Sequence, residues 1–428
     1  MLIPGSRFTS EITDTTVLGT GYVSVDSLAV FVRGAVAGDV CTFEICEVKR
    51  NYAVAECREL ITPSVHRCAV DCPVFPECGG CVHRGITPEY ESNIKFSAVS
   101  EAFRRASLAD VPISKMMTVG SAIGRYRNKA VYHFNEERDC GFYSSRTRRV
   151  IPGSAEHCRC VPEIFSDIVL ESAQYMKVYR EIEPEELMLR ISTSGEISAA
   201  LTVRYGCCDG YAEHIRSRFP SIIGVSVRVS GRNYDTVSGK EYITSELLGL
   251  NFRISPEAFF QVNYEGAELL LKTIISASDK FGVKRGVDLY CGTGVIGIAL
   301  AAAMPQAEFI GVEQNSSAVS DAVCNAELCG VGNIGFLCGD AAKLIPQGDC
   351  DLAVVDPPRR GLSPKALNEL SALSPENLIY VSCNPQTLAR DLARLTEAGY
   401  CIGGTQPINM FPRTEHVETI VLLQNRNM

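Results

Sequence analysis

The sequence has no apolar run long enough to cross a bilayer and no signal peptide at its start. It therefore predicts a cytoplasmic protein with no membrane partner. It has no excess of positive charge either, since 41 Lys and Arg stand against 50 Asp and Glu, a net charge of −9. That argues against general adhesion to nucleic acid, although a local basic patch could still steer an RNA. Nineteen cysteines are an odd number, and in a reducing compartment they do not read as disulfides. Free thiols, a metal site or catalysis remain. Nothing in the composition calls for an obligate protein partner. The 428 residues suggest about two to four domains, each large enough for its own core.

The chemistry centres on Ser382-Cys383-Asn384-Pro385-Gln386-Thr387 and on Glu418 in His416-Val417-Glu418-Thr419. Cys383 follows the apolar run Leu378-Ile379-Tyr380-Val381, so it is expected at a strand end, where open α/β sheets place their sites. A deprotonated thiol there is a nucleophile, and a nearby carboxylate can move a proton. A lone cysteine is more often a small buried hydrophobe, so the surrounding motifs have to decide.

Taken in order, residues 1–60 read as short strands punctuated by Gly19, Gly21, Gly34 and Gly38, which suggests a small barrel. The pattern Gly19-Thr20-Gly21, Phe31-Val32, Gly38-Asp39 and Lys49-Arg50-Asn51-Tyr52-Ala53 resembles a TRAM domain, an OB-like RNA-binding barrel. Next come Cys72, Cys78 and Cys81 at C-x5-C-x2-C spacing, with His157-Cys158-Arg159-Cys160 far along the chain. Three close thiols and two glycines can wrap a soft metal centre, whereas zinc normally shows two close pairs. The spacing is not the C-x3-C-x2-C of radical enzymes.

A helix is expected over 88–108, with Pro88 in its first turn after Thr87. Residues 120–150 carry Arg125, Arg127, Lys129, Arg138, Arg146, Arg148 and Arg149 against three acidic residues, interleaved with Tyr126, Tyr132, Phe134, Phe142 and Tyr143. Such a mixture can neutralise phosphates and stack on unpaired bases, or it can be a solvated β-meander. From 161 to 255 strands and helices alternate without a chemical motif.

A further unit begins near 256. After a helix ending near 278 comes Gly286-Val287-Asp288-Leu289-Tyr290-Cys291-Gly292-Thr293-Gly294-Val295-Ile296-Gly297, a strand, glycine loop and helix. G-x-G-x-x-G alone would also fit NAD. Asp288 before the loop and Glu313 after the next strand are placed to hold ribose hydroxyls. Asp356-Pro357-Pro358 ends the fourth strand, and Arg359 follows where amino-group methyltransferases carry a base-stacking aromatic residue. The unit reads as a seven-stranded sheet with a reversed final strand.

The glycine loop, Asp-Pro-Pro-Arg-Arg-Gly, Ser-Cys-Asn-Pro-x-Thr and His-Val-Glu-Thr, in this order, resemble the RNA uracil-5-methyltransferase family over nearly the whole chain. With the TRAM-like barrel and the cysteines, the chain is similar to its bacterial 23S rRNA branch, the tRNA branch typically lacking both. The resemblance implies three domains: a barrel over 1–60, a central α+β RNA-binding domain over 61–255, and a Rossmann-like class I methyltransferase over 256–428. Helix 88–108 could pack on the last of these. The family would use S-adenosylmethionine and a 4Fe-4S cluster held by Cys72, Cys78, Cys81 and Cys158, with Cys160 a close alternative to Cys158. It implies Cys383 as nucleophile on uracil C6 and Glu418 as base. Gln261, Tyr290, Glu313 and Asp340, with Asp288, Gly292 and Gly294 of the loop strand, would bind the cofactor. Asp356 would stand where cofactor and uracil meet. A tRNA enzyme and a non-catalytic RNA-binding assembly protein on the same fold are the alternatives.

Overall fold

Three large sheets and one hairpin organise the computed structural model, which describes residues 2–119, 124–345 and 348–426. The first is a six-stranded sheet within residues 7–62. Its interior is small and apolar, with Val23, Val30, Val32, Cys41, Phe43, Ile45, Ala53 and Ala55 all buried. Alternation along Leu28–Arg33 and Val40–Val48 supplies that face, as half-buried strands require. Arg7–Glu11 and Asp14–Thr15 also join the sheet, though neither segment carries enough apolar residues to announce itself.

The second sheet has seven strands between Lys129 and Gly239. Helices Glu163–Val178 and Asp209–Arg218 cover one face through Phe165, Ile168, Met176, Tyr211 and Ile215. Here the structure corrects the expectation of an aromatic RNA platform over 120–150. Tyr132 is fully buried and Tyr126 nearly so, while Phe134 and Phe142 pack on the same core. Strand alternation sends Tyr132 and Phe134 to the core face, whereas Tyr143 stays half-buried with its ring stacked on His133. Several cations are also occupied. Arg138 donates to the carbonyls of Met176 and Ile182 and pairs with Glu183. Arg127 is half-buried and donates from Nε to Tyr126 OH at 3.2 Å. Arg146 and Arg149 pair with Glu56 and Glu77 but remain more than half exposed. Exposed pairs are worth about 0–1 kcal/mol, so these two can still exchange for phosphates. Residues 120–123 of the segment lie outside the described residues.

The third sheet has eight strands in place of the expected seven. Running across it are Ile334–Cys338, Glu308–Glu313, Arg285–Leu289, Leu352–Val355, Asn377–Ser382, Glu418–Asn425, Tyr400–Asn409 and Met117–Thr118. The first five are parallel, and Glu418–Asn425 runs antiparallel to both its neighbours. The central parallel strands Leu352–Val355 and Asn377–Ser382 read as apolar runs because both their faces are buried, whereas the edge strand Ile334–Cys338 is largely exposed. Met117–Thr118 arrives from the central part of the chain.

Helix Pro88–Arg105 starts where its sequence says it should. Thr87 Oγ1 accepts from Tyr90 N, and Pro88 fills the first turn. Its Val99, Ala102 and Phe103 lie in the same core as Val355, Leu378 and Val421 of the third sheet and Leu388 of helix Pro385–Glu397. The hairpin Ile243–Leu247 and Leu250–Ile254 packs on the sheet's other face with Leu270 and Ile274. That catalytic core thus draws on residues well upstream of 256. Among the described residues, no helix is long and apolar enough to cross a membrane.

Candidate active site

The site forms at the carboxyl ends of the parallel strands. Ser382 pairs with Thr419 in the antiparallel ladder. One further step of that register sets Cys383 opposite Glu418, joining residues far apart in sequence. Val355 pairs with Tyr380 on one side and with Leu289 on the other, which brings Asp356 and Tyr290 to the same edge. A crevice lined by Arg285, Phe309, Asn333 and Cys350 opens at the opposite edge, and none of the site residues lines it.

The cysteine loop is tightly held. Ser382 Oγ accepts from Asn384 N at 3.1 Å, and Asn384 caps helix Pro385–Glu397 by accepting from Gln386 N at 3.1 Å. Asn384 Nδ2 and Thr387 Oγ1 both donate to the Arg359 carbonyl, at 2.9 and 3.1 Å. Asp391 Oδ2 accepts from Leu362 N at 2.8 Å and from Tyr380 OH at 2.7 Å. The Asp-Pro-Pro-Arg and Ser-Cys-Asn-Pro segments are therefore one unit, with Cys383 half-buried between them.

Its electrostatics are acidic. Glu418 is 3% exposed, and burial, reinforced by Asp356, pushes its carboxyl well above the ordinary range while Arg359 opposes. Burial raises Asp356 to about 7. The Cys383 thiol is raised to about 11 by burial first and Glu418 second, with Arg359 again pulling down. Arg359 is the one cation acting on both groups, and its guanidinium lies 2.7 Å from His416 Nε2. The sequence reading used Arg359 only to discriminate between motifs and gave His416 no part. Neither residue's partner could be seen without the tertiary structure.

The glycine loop has the features a nucleotide-like ligand needs. Tyr290 adopts a left-handed φ of +65°, and Tyr290 N and Cys291 N both donate to Val312 O. Gly294, at φ +82°, caps helix Val295–Ala303. Gly297 N donates to Asp288 Oδ2 at 2.8 Å, and a Cβ at Gly297 would lie 2.9 Å from that oxygen. Asp288 is fully buried, its Oδ1 has no partner, and burial raises it to about 8. Glu313 accepts from Gly292 N through one oxygen and from Asn315 N through the other. Each oxygen keeps a lone pair for a ligand hydroxyl. Asp340 is partly open, and Gln261 lies beside the central sheet, its carbonyl accepting from Asn128 Nδ2. Removing the Glu313 carboxylate should cost about 10- to 100-fold in S-adenosylmethionine affinity, the worth of a charge-assisted hydrogen bond. Calorimetry on Glu313→Ala checks this, and unchanged affinity would remove Glu313 from the site.

Cysteines of the two candidate ligand segments come together beside the central sheet. Cys81 Sγ and Cys160 Sγ are 3.7 Å apart, and Arg84 Nη2 lies 3.1 Å from Cys160 Sγ. Hydrogen bonds from the Cys158 and Cys81 thiols hold Cys160 far below the usual thiol range, and Arg84 and Arg127 add to this. Cys78 feels the charges of Cys72 and Cys160. Thiols of both segments thus lie close together, with the buried Arg84 guanidinium beside them. Among the described residues, no three His, Cys, Asp or Glu side chains are arranged to hold a metal ion.

Comparison with known proteins agrees with this arrangement. Residues 344–426 match the family described as tRNA (Uracil-5-)-methyltransferase, and residues 252–375 match the methyltransferase small domain. A protein of Gloeobacter violaceus named as an uncharacterised RNA methyltransferase is 30% identical over 99% of this chain and 97% of its own. Another so named, from Thermosynechococcus vestitus, is 33% identical over 95% of each chain. In fold, the chain is similar to the Pyrococcus abyssi tRNA (uracil-54, C5)-methyltransferase, solved with S-adenosyl-L-homocysteine. That match has a TM-score of 0.78 and 21% identity, covering 97% of this chain and 100% of that one. The chain belongs to the RNA uracil-5-methyltransferase family and is an S-adenosylmethionine-dependent RNA methyltransferase.

Proposed function

We propose that this chain methylates C5 of a uridine in 23S rRNA through a covalent bond from Cys383 to uracil C6. The observation that carries the reading is the strand register that sets a half-buried thiol opposite a buried carboxyl. Uracil C5 is a poor nucleophile until something adds to C6. The Cys383 thiolate adds there, and the C5–C6 π electrons move toward C5 and O4. Gln261, Tyr290, Gly292, Gly294, Glu313 and Asp340 would hold S-adenosylmethionine, which would supply the methyl carbon to C5 and leave as its neutral thioether. Glu418 then accepts the C5 proton, the electron pair re-forms C5=C6, and Cys383 leaves as thiolate. Asp356 offers an acceptor for a uracil N3–H. The target base must leave its stack, which costs less in a loop than in a duplex.

The N-terminal sheet, read as a TRAM-like barrel, and exposed Arg146, Arg148 and Arg149 supply the grip on RNA. A tRNA uridine is the second reading. It gains from the solved neighbour, which is named for tRNA and aligns over its whole length with nearly all of this chain, N-terminal sheet included. The sheet therefore does not discriminate between the two RNAs. A mass map of 5-methyluridine in rRNA and tRNA, from cells with and without the chain, decides between them. Loss of one rRNA site supports the first reading, and loss of a tRNA site the second.

The same reading includes a 4Fe-4S cluster on Cys72, Cys78, Cys81 and Cys158. Cys160 Sγ lies 3.7 Å from Cys81 Sγ, so the fourth ligand is open to test. Anaerobic purification should yield a brown protein with about four irons per chain. Stoichiometric zinc without iron would contradict it, and Cys158→Ser against Cys160→Ser identifies the ligand.

A further inference from the structure

The stretch leading into Glu418 is held in an unusual way. Four successive backbone carbonyls, from Met410 to Arg413, each accept a hydrogen bond from a different part of the chain. Asn263 Nδ2 donates to Met410 O at 2.8 Å, and Lys95 Nζ donates to Phe411 O at 3.0 Å. Tyr126 OH donates to Pro412 O at 3.0 Å. Val82 N and His83 N both donate to Arg413 O, at 2.8 and 3.1 Å.

Side chains close the same knot. Arg413 Nη1 donates to Ile86 O at 2.7 Å, and its backbone N donates to Glu91 Oε1 at 2.9 Å. Lys95 Nζ reaches Glu91 Oε1 and Asn409 Oδ1, at 2.8 and 2.7 Å. Lys95 and Glu91 are almost completely buried and paired with each other, as buried ionisable groups need to be. Arg413 sits at φ +70°, a conformation a non-glycine residue keeps only when its surroundings over-determine it.

A backbone pinned at four consecutive carbonyls cannot drift, and Glu418 follows within five residues. Three of the four pins come from the part of the chain that carries the cysteines: the turn after Cys81, helix Pro88–Arg105, and Tyr126. We propose that Lys95, Tyr126 and the Val82–His83 turn are positioning groups for the base. Through them the chain from Val82 to Tyr126 serves proton removal from C5. This rests on the covalent mechanism above. Neither Lys95 nor Tyr126 touches the reacting atoms. Their loss should spare the steps before proton removal and slow that step itself.

The test is single-turnover kinetics with methyl-labelled S-adenosylmethionine on the full chain, comparing wild type, Tyr126→Phe, Lys95→Met and Glu418→Gln. Tyr126→Phe removes one oxygen, and Lys95→Met keeps the side-chain length. Affinities for RNA and cofactor should stay within about twofold in both. Methyl-labelled protein–RNA adduct should persist about tenfold longer or more, a fraction of the ~10²–10⁴ a general base supplies. Release of product at the wild-type rate in both variants would overturn the proposal. So would loss of methyl transfer without adduct, or loss of cofactor binding in both, which would make the contacts part of the fold alone. Glu418→Gln separates the two levels. If it too forms no methylated adduct, the covalent mechanism fails. If it does and the other variants do not, only the positioning role fails.

Discussion

Glu418→Gln should stop as a methylated covalent protein–RNA complex, and Cys383→Ala should form no complex at all. The two residues act at different steps, so their variants fail differently. Without the thiol nothing adds to C6, and the RNA and cofactor simply bind. Glutamine is nearly isosteric with glutamate but cannot accept the C5 proton, so attack and methyl transfer proceed and elimination does not. Glu418 is 3% exposed, which leaves little room for water to act in its place. The loss in turnover should therefore be at least the ~10²–10⁴-fold typical of a general base. Retention on a denaturing gel, with label from the methyl group, reads both outcomes. An adduct in Cys383→Ala would remove Cys383 from the mechanism, and Cys291 of the glycine loop would be the next thiol to test. Cys291 is buried and its thiol is raised by burial, which suits packing better than attack.

The second large effect is on pH. With its thiol raised to about 11, Cys383 is neutral at pH 7 in the free protein. Only the thiolate is alkylated, so its rate with iodoacetamide should climb about tenfold per pH unit between 7 and 10. The sign of each neighbour's effect is fixed. Glu418 pushes the thiol up, so Glu418→Gln should move the profile to lower pH. Arg359 pulls it down, so Arg359→Met should move the profile higher. A cation in the site opposes the same acidic neighbours. S-adenosylmethionine should therefore shift the profile down, while neutral S-adenosylhomocysteine of nearly the same shape should not. Peptide-level mass spectrometry separates Cys383 from the other cysteines. A profile flat from pH 7 to 10 would contradict this electrostatic account.

Much of the site could be read from local sequence because its chemistry sits at strand ends. An apolar run that stops at Ser382-Cys383, and a capped helix starting at Pro385, are visible in a few residues. The same holds for the loop from Asp288 to Gly297, whose close backbone approaches require glycine. What could not be read is non-local. The pairing of Ser382 with Thr419 depends on register across the sheet, so proximity of Cys383 and Glu418 came only through the family resemblance. Met117–Thr118 is too short to show any period, yet it extends the sheet. Arg138 looked like an RNA-binding cation because composition does not reveal burial, and it is spent inside the fold. Lys95 carries no local signal, because its partners Asn409 and Phe411 lie at the far end of the chain.

The measurement closest to the central claim follows the C5 hydrogen itself. RNA carrying tritium at uracil C5 is incubated with the protein and S-adenosylmethionine, and tritium released to water is compared with methyl groups incorporated. The account predicts one tritium released per methyl transferred by the wild-type chain, and neither by Cys383→Ala. Methyl incorporation without tritium release would place the methyl group on another atom and contradict it.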